Sequence, residues 1–177
     1  MTRIGLLSDT HGYWDERYER YFAEVDEIWH AGDIGSLEVA ERFMAMGKPF
    51  HAVHGNIDGG DLRRMFPELL RLRCEEADVL IKHIGGHPGH YDRSVSTRLA
   101  TNPPDLFISG HSHILRVEYD RHLQLLHINP GAAGLYGWQP VRTLVRFNVE
   151  GKGFRDLEVI ELGKRTEDEE ERDKHGE

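Results

Sequence analysis

The sequence is poor in the features that secreted and membrane-bound chains rely on. It holds one cysteine, Cys74, in 177 residues, which excludes an intrachain disulfide and asks for no oxidising compartment. No apolar run approaches the ~20 residues of a membrane span. Asp9 also breaks the N-terminal apolar stretch before a signal-peptide core forms. A reducing cytoplasm is therefore the expected location. Positive charge is in deficit too, with 22 Lys and Arg against 31 acids and a formal charge of −9. That balance argues against broad, unspecific binding to nucleic acid or anionic lipid.

What is present suits one ordinary domain with its own core. The last 14 residues, KRTEDEEERDKHGE, hold seven acids and four Lys or Arg. They lack apolar periodicity, so residues 164–177 are expected to form a disordered tail or a frayed helix beyond a domain at 1–163. The body is acidic as well, at 24 acids against 18 bases. An acidic protein that handles phosphate needs a local source of positive charge, and bound cations supply it. Twelve histidines direct attention to that possibility.

The apolar run IGLLS at 4–8 ends in DTHG, the pattern of a buried strand delivering polar groups at its C-terminal edge. A helix is expected from Asp15 to Val25, then a strand from Glu27 to His30 ending in AGDIG. Ser36 reads as the N-cap of a helix running to Met46, with Gly47 closing it. A third strand, Pro49 to His54, stops at GNIDGG. This is a βαβαβ order in which each strand closes on a polar cluster. Beyond Gly60, ELLRLRC and VLIKHIG read as a hairpin across EEAD. A short helix at Ser94–Ala100 leads into DLFISGHSH, followed by a hairpin through VEYDRHLQLLHINPG and two further strands, TLVRFNV and FRDLEVIEL. No repeat of 20 to 50 residues is evident.

Four polar clusters follow expected strands: Asp9-Thr10-His11, Gly32-Asp33, Gly55-Asn56 and Gly110-His111-Ser112-His113. His83 near the end of its own strand completes seven candidate ligands, although another register would substitute His87. Glycine beside Asp33, Asn56 and His111 permits close backbone approach to a crowded centre. Carboxylate, amide and imidazole suit borderline-to-hard divalent ions, and the lack of thiolate argues against a structural zinc site.

In this order DxH, GD, GNxD, a strand-borne His and GHxH resemble the calcineurin-like binuclear metallophosphoesterases, in particular their small bacterial and archaeal phosphodiesterase branch. The resemblance spans roughly residues 3 to 162 and takes in HAGDIG, the HIGGHPG loop and NPGAAG with VRTLVRF. It implies a four-layer α/β/β/α sandwich of two mixed sheets flanked by helices. It implies that Asp9, His11 and His113 hold one metal and Asn56, His83 and His111 the other, with Asp33 bridging. Two cations roughly 3.5–4 Å apart need such a shared anion. The implied chemistry is in-line attack on a phosphate ester by a water bridging the two ions, with Asp33, Asn56 and His111 as the residues closest to catalysis. Manganese is the first choice of metal, with iron, zinc, nickel or magnesium as alternatives. The implied substrate is a small-molecule or nucleotide-like phosphoester, and homo-oligomerisation is left open.

One departure stands out. Many members of the wider superfamily read GNHD or GNHE, where the His binds substrate or protonates the leaving group, but here the sequence is Gly55-Asn56-Ile57-Asp58. Ile57 cannot donate a proton, and general-acid help is worth about 10²–10⁴ in rate. His87 and His90 are candidates for substrate contact and for that donor. Asp58 is a candidate for orienting a ligand or loop from behind, with an ordinary turn acid as the competing reading. His30, His51, His54, His122 and His127 are read as strand or turn residues. Tyr18, Tyr21 and Phe22 are read as core, and Tyr91, Tyr136 and Trp138 as loop aromatics. Ile57 also keeps a second function class in view, a non-catalytic protein-interaction scaffold similar to the retromer subunit of this fold.

Overall fold

The computed structural model describes residues 1–165, which contain twelve strands and four helices. One sheet orders its strands as β12 (Gly153–Lys164), β11 (Val141–Glu150), β1 (Thr2–Leu7), β2 (Glu27–His30) and β3 (Phe50–Ala52). The other runs β4 (Leu69–Cys74), β5 (Ala77–Lys82), β8 (Leu106–Ile108), β10 (Leu125–Pro130) and β9 (Leu115–Asp120). A small hairpin pairs β6 (Gly86–His87) with β7 (His90–Tyr91). In each sheet three adjacent strands are parallel and the pairing at one edge or both is antiparallel.

The layers follow from side-chain alternation. Ile4 and Leu6 of β1, Val145 and Phe147 of β11, Val79 and Ile81 of β5 and Ile128 of β10 meet in a dry core between the sheets. Leu7 and Leu144, one step out of phase, face α1 (Glu16–Tyr21), α2 (Leu37–Met44) and α3 (Gly60–Met65), where Tyr18, Phe22 and Phe43 pack. Leu80, Phe107 and Leu125 face the other way, onto Val95 and Leu99 of α4 (Arg93–Thr101). This is the expected four-layer sandwich.

Some boundaries differ. α1 ends at Tyr21 rather than Val25, although Asp15 caps it by accepting from Arg17 N. Ser36 caps α2 through Val39 N. β3 spans three residues rather than six. α3 and the β6–β7 hairpin were not anticipated, because each is too short for periodicity to show. Tyr91 lies in β7 rather than in a loop, and its hydroxyl donates to Asp120. β12 continues through Lys164, and Arg165 is buried with its guanidinium on the carbonyls of Ala132, Gly134, Gln139 and Val141. The fold thus extends two residues into the segment expected as a tail, whose remainder, 166–177, lies outside the described residues. Among the described residues no helix is long and apolar enough to cross a membrane.

Candidate metal centre

The parallel strands β1, β2, β5 and β8 all end at one edge of the sandwich, and the loops that follow carry the polar clusters. Backbone bonds lace the first two loops together: Asp9 N to Gly32 O and His11 N to Asp33 O at 3.0 Å, and Gly12 N to Ile34 O at 2.8 Å. Asp9, His11, Asp33, His111 and His113 all have positive φ, between 47° and 67°. Asp and His tolerate that region better than most residues. Five such residues converging on one place mark strained backbone that the surrounding fold must hold.

Two side-chain groups result, Asp9 with His11 and His113, and Asp33 with His83 and His111, each with ligand atoms within 4.8 Å of one another. Asp33 stands between them, its Oδ2 3.1 Å from His83 Nε2 and 3.5 Å from His11 Nε2. Asn56 Oδ1 lies 3.1 Å from His83 Nε2 and 3.0 Å from His111 Nδ1. All seven candidate ligands are therefore brought together, with His83 and not His87 in the cluster.

The hydrogen bonds behind these groups aim their lone pairs. Asp9 Oδ2 accepts from the Ser8 hydroxyl at 2.6 Å and from His111 N at 3.2 Å, whereas Oδ1 is buried without a hydrogen-bond partner, as is His11 Nε2. Oδ1 nonetheless stands 3.0 Å from His113 Nε2 and 3.5 Å from His11 Nε2; ligand atoms crowded together with hydrogen bonds left unmade require an explanation, and a cation among them is one that suits all three. Asp33 Oδ1 accepts from Ile57 N, leaving Oδ2 to face the imidazoles. His83 Nδ1 lies 2.7 Å from Ala31 O. A carbonyl only accepts, so Nδ1 carries the proton and neutral His83 presents a bare Nε2, the arrangement of a metal-ligating imidazole. The donor set therefore fits divalent cations.

Titration behaviour reflects the crowding. Burial disfavours the Asp9 carboxylate, but His11, His113, His83 and Ser8 outweigh it and hold the group far below its usual range. Asp33 is likewise lowered, by His83 and Ile57 N against burial. Burial opposes charge on His83, yet Asp33 and Asp9 raise it above the ordinary imidazole value. His111 is lowered by burial and by the charge of His83.

Of the remaining support only Asp58 was singled out from the sequence. Gly32 N–H donates to His30 Nδ1 at 3.1 Å, so His30 Nε2 carries the proton to Thr10 Oγ1 at 3.0 Å, and the Thr10 hydroxyl donates to Ile34 O at 2.9 Å. This relay, built on the fully buried His30, ties the Asp9 and Asp33 loops together. Asn129 Nδ2 donates to Gly110 O and Ser112 Oγ, both at 3.0 Å, fixing the GHSH loop. Its NPG context was the only hint. Asp58, 2 % exposed, accepts from Gly35 N and Gly55 N at 2.8 Å and from Ile34 N at 3.2 Å. It therefore joins the loops that carry Asp33 and Asn56.

His87 and His90 lie outside the cluster, their rings 5.1 Å apart, and line a cavity of about 370 Å³ that His111 also borders. The Tyr136 ring stands 5.7 Å from that of His11, while Trp138 is almost fully exposed. Ile57 is exposed beside the centre.

Residues 2–152 match the calcineurin-like phosphoesterase superfamily domain. A phosphodiesterase of Methanocaldococcus jannaschii is 25 % identical over 170 residues, covering 88 % of this chain and 98 % of that one. Among solved structures, an archaeal phosphodiesterase superposes with a TM-score of 0.70 at 24 % identity, over 89 % of this chain and 99 % of the other. Vps29 of Entamoeba histolytica, solved with zinc, superposes at 0.71 and 14 % identity, over 90 % and 98 %. A predicted phosphoesterase of Streptococcus pneumoniae gives 0.66 at 20 % identity, over 93 % and 90 %.

Proposed function

We propose, since the chain belongs to the calcineurin-like phosphoesterase superfamily, that it hydrolyses a phosphodiester at a centre for two divalent cations formed by the seven converging residues. The chain is a metal-dependent phosphoesterase; diester substrates, two ions and manganese are the finer reading. Asp9, His11 and His113 would hold one ion, Asn56, His83 and His111 the other, and Asp33 would serve both. The observation that carries this is the crowding of Asp9 Oδ1, His11 Nε2 and His113 Nε2, with Oδ1 and His11 Nε2 buried and making no hydrogen bond, beside the bare Nε2 that Ala31 imposes on neutral His83.

Ions bound there supply a water that is acidic near neutral pH and positive charge for the phosphoryl oxygens. The protein residues do the rest. Asp33 Oδ2 would be the oxygen available to both ions, while Ile57 N holds its other oxygen in place. Ser8 and His111 N fix the Asp9 carboxylate. His111 borders both the cluster and the adjoining cavity, so a phosphate at the centre would extend its ester group past it. His87 and His90 in that cavity are the protein's proton donors for a leaving alkoxide, replacing the side chain that Ile57 lacks.

The test is manganese-dependent hydrolysis of bis-p-nitrophenyl phosphate by the protein and by Asp33→Asn, with metal content measured on both. Two manganese ions per chain and a loss of at least about 10²-fold in the variant are expected. Equal rates would remove the enzyme reading. A scaffold role is the second reading, favoured by exposed Ile57 beside the centre and by the Vps29-like fold; metal-independent inactivity of a fully loaded protein would support it.

A further inference from the structure

The cavity beside His111 contains a feature that the metal chemistry leaves unused. His127 of β10, one of its lining residues, is fully buried. The hydroxyl of Ser109 donates to Gly86 O at 3.0 Å and lies 2.8 Å from His127 Nε2. A hydroxyl has one proton, so Nε2–H of His127 must be the donor in the second bond. Neutral His127 is then left with Nδ1 as a bare acceptor, and that atom is buried with no partner. An unpaired buried acceptor is unfavourable, and a ligand's donor group relieves that.

The other walls narrow the ligand's chemistry. Asp92 lines the cavity, and its Oδ1 caps α4 through Ser94 N and Oγ. A carboxylate in the wall repels an anionic group. The cavity's guanidinium, on Arg116, is paired with Glu118 at 3.2 Å, which weakens any attraction for a second phosphate. Ile84 and Ile114 contribute apolar surface. Acceptors, partly neutralised charge and apolar flanks together suit an uncharged group with hydroxyl donors on a carbon frame. The volume of about 370 Å³ falls at the lower end for small-ligand sites.

We propose that this cavity is the subsite for the departing alcohol of the ester, that it selects a hydroxylated, sugar-like alcohol, and that His127 Nδ1 reads a hydroxyl proton. The proposal rests on the phosphoesterase reading for the position of the phosphate, beyond His111, but the recognition belongs to His127 itself.

The test compares bis(2,3-dihydroxypropyl) phosphate with bis(2,3-dimethoxypropyl) phosphate, whose departing alcohols are of similar acidity but differ in hydroxyl donors, so that the alcohol beside His87 and His90 is the one His127 reads. kcat/KM is expected to favour the diol about tenfold, the worth of one hydrogen bond to a buried acceptor, mainly through KM. In His127→Leu that ratio falls toward one, and His127→Asn, which keeps an acceptor close to the Nδ1 position, recovers part of it. Equal kcat/KM for the two esters, or an unchanged ratio in His127→Leu, overturns the proposal. A binding arm needs no turnover: methyl β-D-ribofuranoside is titrated into the zinc-loaded protein while the 15N resonances of His127 are followed. The unprotonated Nδ1 signal is expected to move upfield as it accepts a hydrogen bond, and no movement overturns the proposal. If neither ester is hydrolysed while the riboside shifts Nδ1, the phosphoesterase reading fails and the subsite stands.

Discussion

Gly55 lies so close to Asp33 that a methyl group on it would stand 2.8 Å from the carboxyl carbon and overlap Oδ1. Oδ1 is the oxygen that Ile57 N holds, so the overlap would swing Oδ2 away from His11 and His83. Gly55→Ala is therefore expected to lower metal affinity by about 10–100-fold, the usual effect of disturbing a ligand's support. The added carbon would also stand 2.5 Å from the Asp33 backbone nitrogen, so folding stability should fall as well, by about 1–3 kcal/mol or more. Isothermal titration with manganese beside chemical denaturation separates the two, and unchanged affinity would show that Asp33 is not held this way.

Asp58 is the stronger structural tie. Removing its carboxylate strands three N–H groups, those of Ile34, Gly35 and Gly55, in a buried place. Asp58→Ala is expected to lose on the order of 3 kcal/mol or more, since hydrogen bonds to a charged group carry about 1.5–3 kcal/mol each and are not additive. Asp58→Asn keeps the acceptor oxygen and should recover part of this. Thermal melts of both variants check it, and equal melts for wild type and Asp58→Ala would reduce Asp58 to a turn acid.

The way these residues entered the argument shows what a sequence can carry. Asp9, His11, Asp33, Asn56, His83, His111 and His113 were legible because each follows a strand in a recurring order, with glycine where space is short. The strands themselves were legible as apolar runs, but their arrangement in two sheets came only with the family resemblance, and which face Ile4 and Leu7 or Leu144 and Val145 occupy needed the structure. His30 and His127 were not, because a histidine in an apolar strand looks the same whether it packs, relays a proton or awaits a ligand. Only tertiary partners, Gly32 and Thr10 for one and Ser109 for the other, fix the tautomer. Arg165 was hidden for a related reason: its charged neighbours suggest a tail, while its guanidinium closes the loop at 132–141.

His87 and His90 give a kinetic prediction. If they protonate the departing alkoxide, their loss must matter more when the leaving group is a poor one. The double variant His87→Ala, His90→Ala should lose at least about tenfold more kcat on a methyl or ethyl ester than on a p-nitrophenyl ester, within the 10²–10⁴ range of general-acid catalysis. Steady-state rates across a series of leaving groups measure this as a steeper dependence on alcohol acidity in the variant. Parallel lines for the two proteins would exclude both residues as the donor.

The histidines also set the pH range in which the metal-free protein is stable. Burial depresses His30 and His127 from the ordinary 6.5 to about 4. The unfolded chain therefore binds these protons first as pH falls. Their contribution is complete above pH 6.5 and is lost progressively down to pH 4, on the order of 3 kcal/mol each. His83 acts in the opposite sense: its folded value is raised by Asp33 and Asp9, so its contribution is complete below 6.5 and fades as pH climbs through the raised value. Metal-free protein should accordingly be most stable near pH 6.5. Metal binding needs bare Nε2 on His83 and expels that proton, so affinity should rise with pH and loading should remove the decline on the alkaline side. Denaturation from pH 4 to 9, with and without manganese, tests both limbs. Calorimetry in buffers of different ionisation enthalpy counts the released proton, and His83→Gln should abolish that release. If the metal-free curve is flat between pH 4 and 6.5, His30 and His127 are not held neutral in the folded protein.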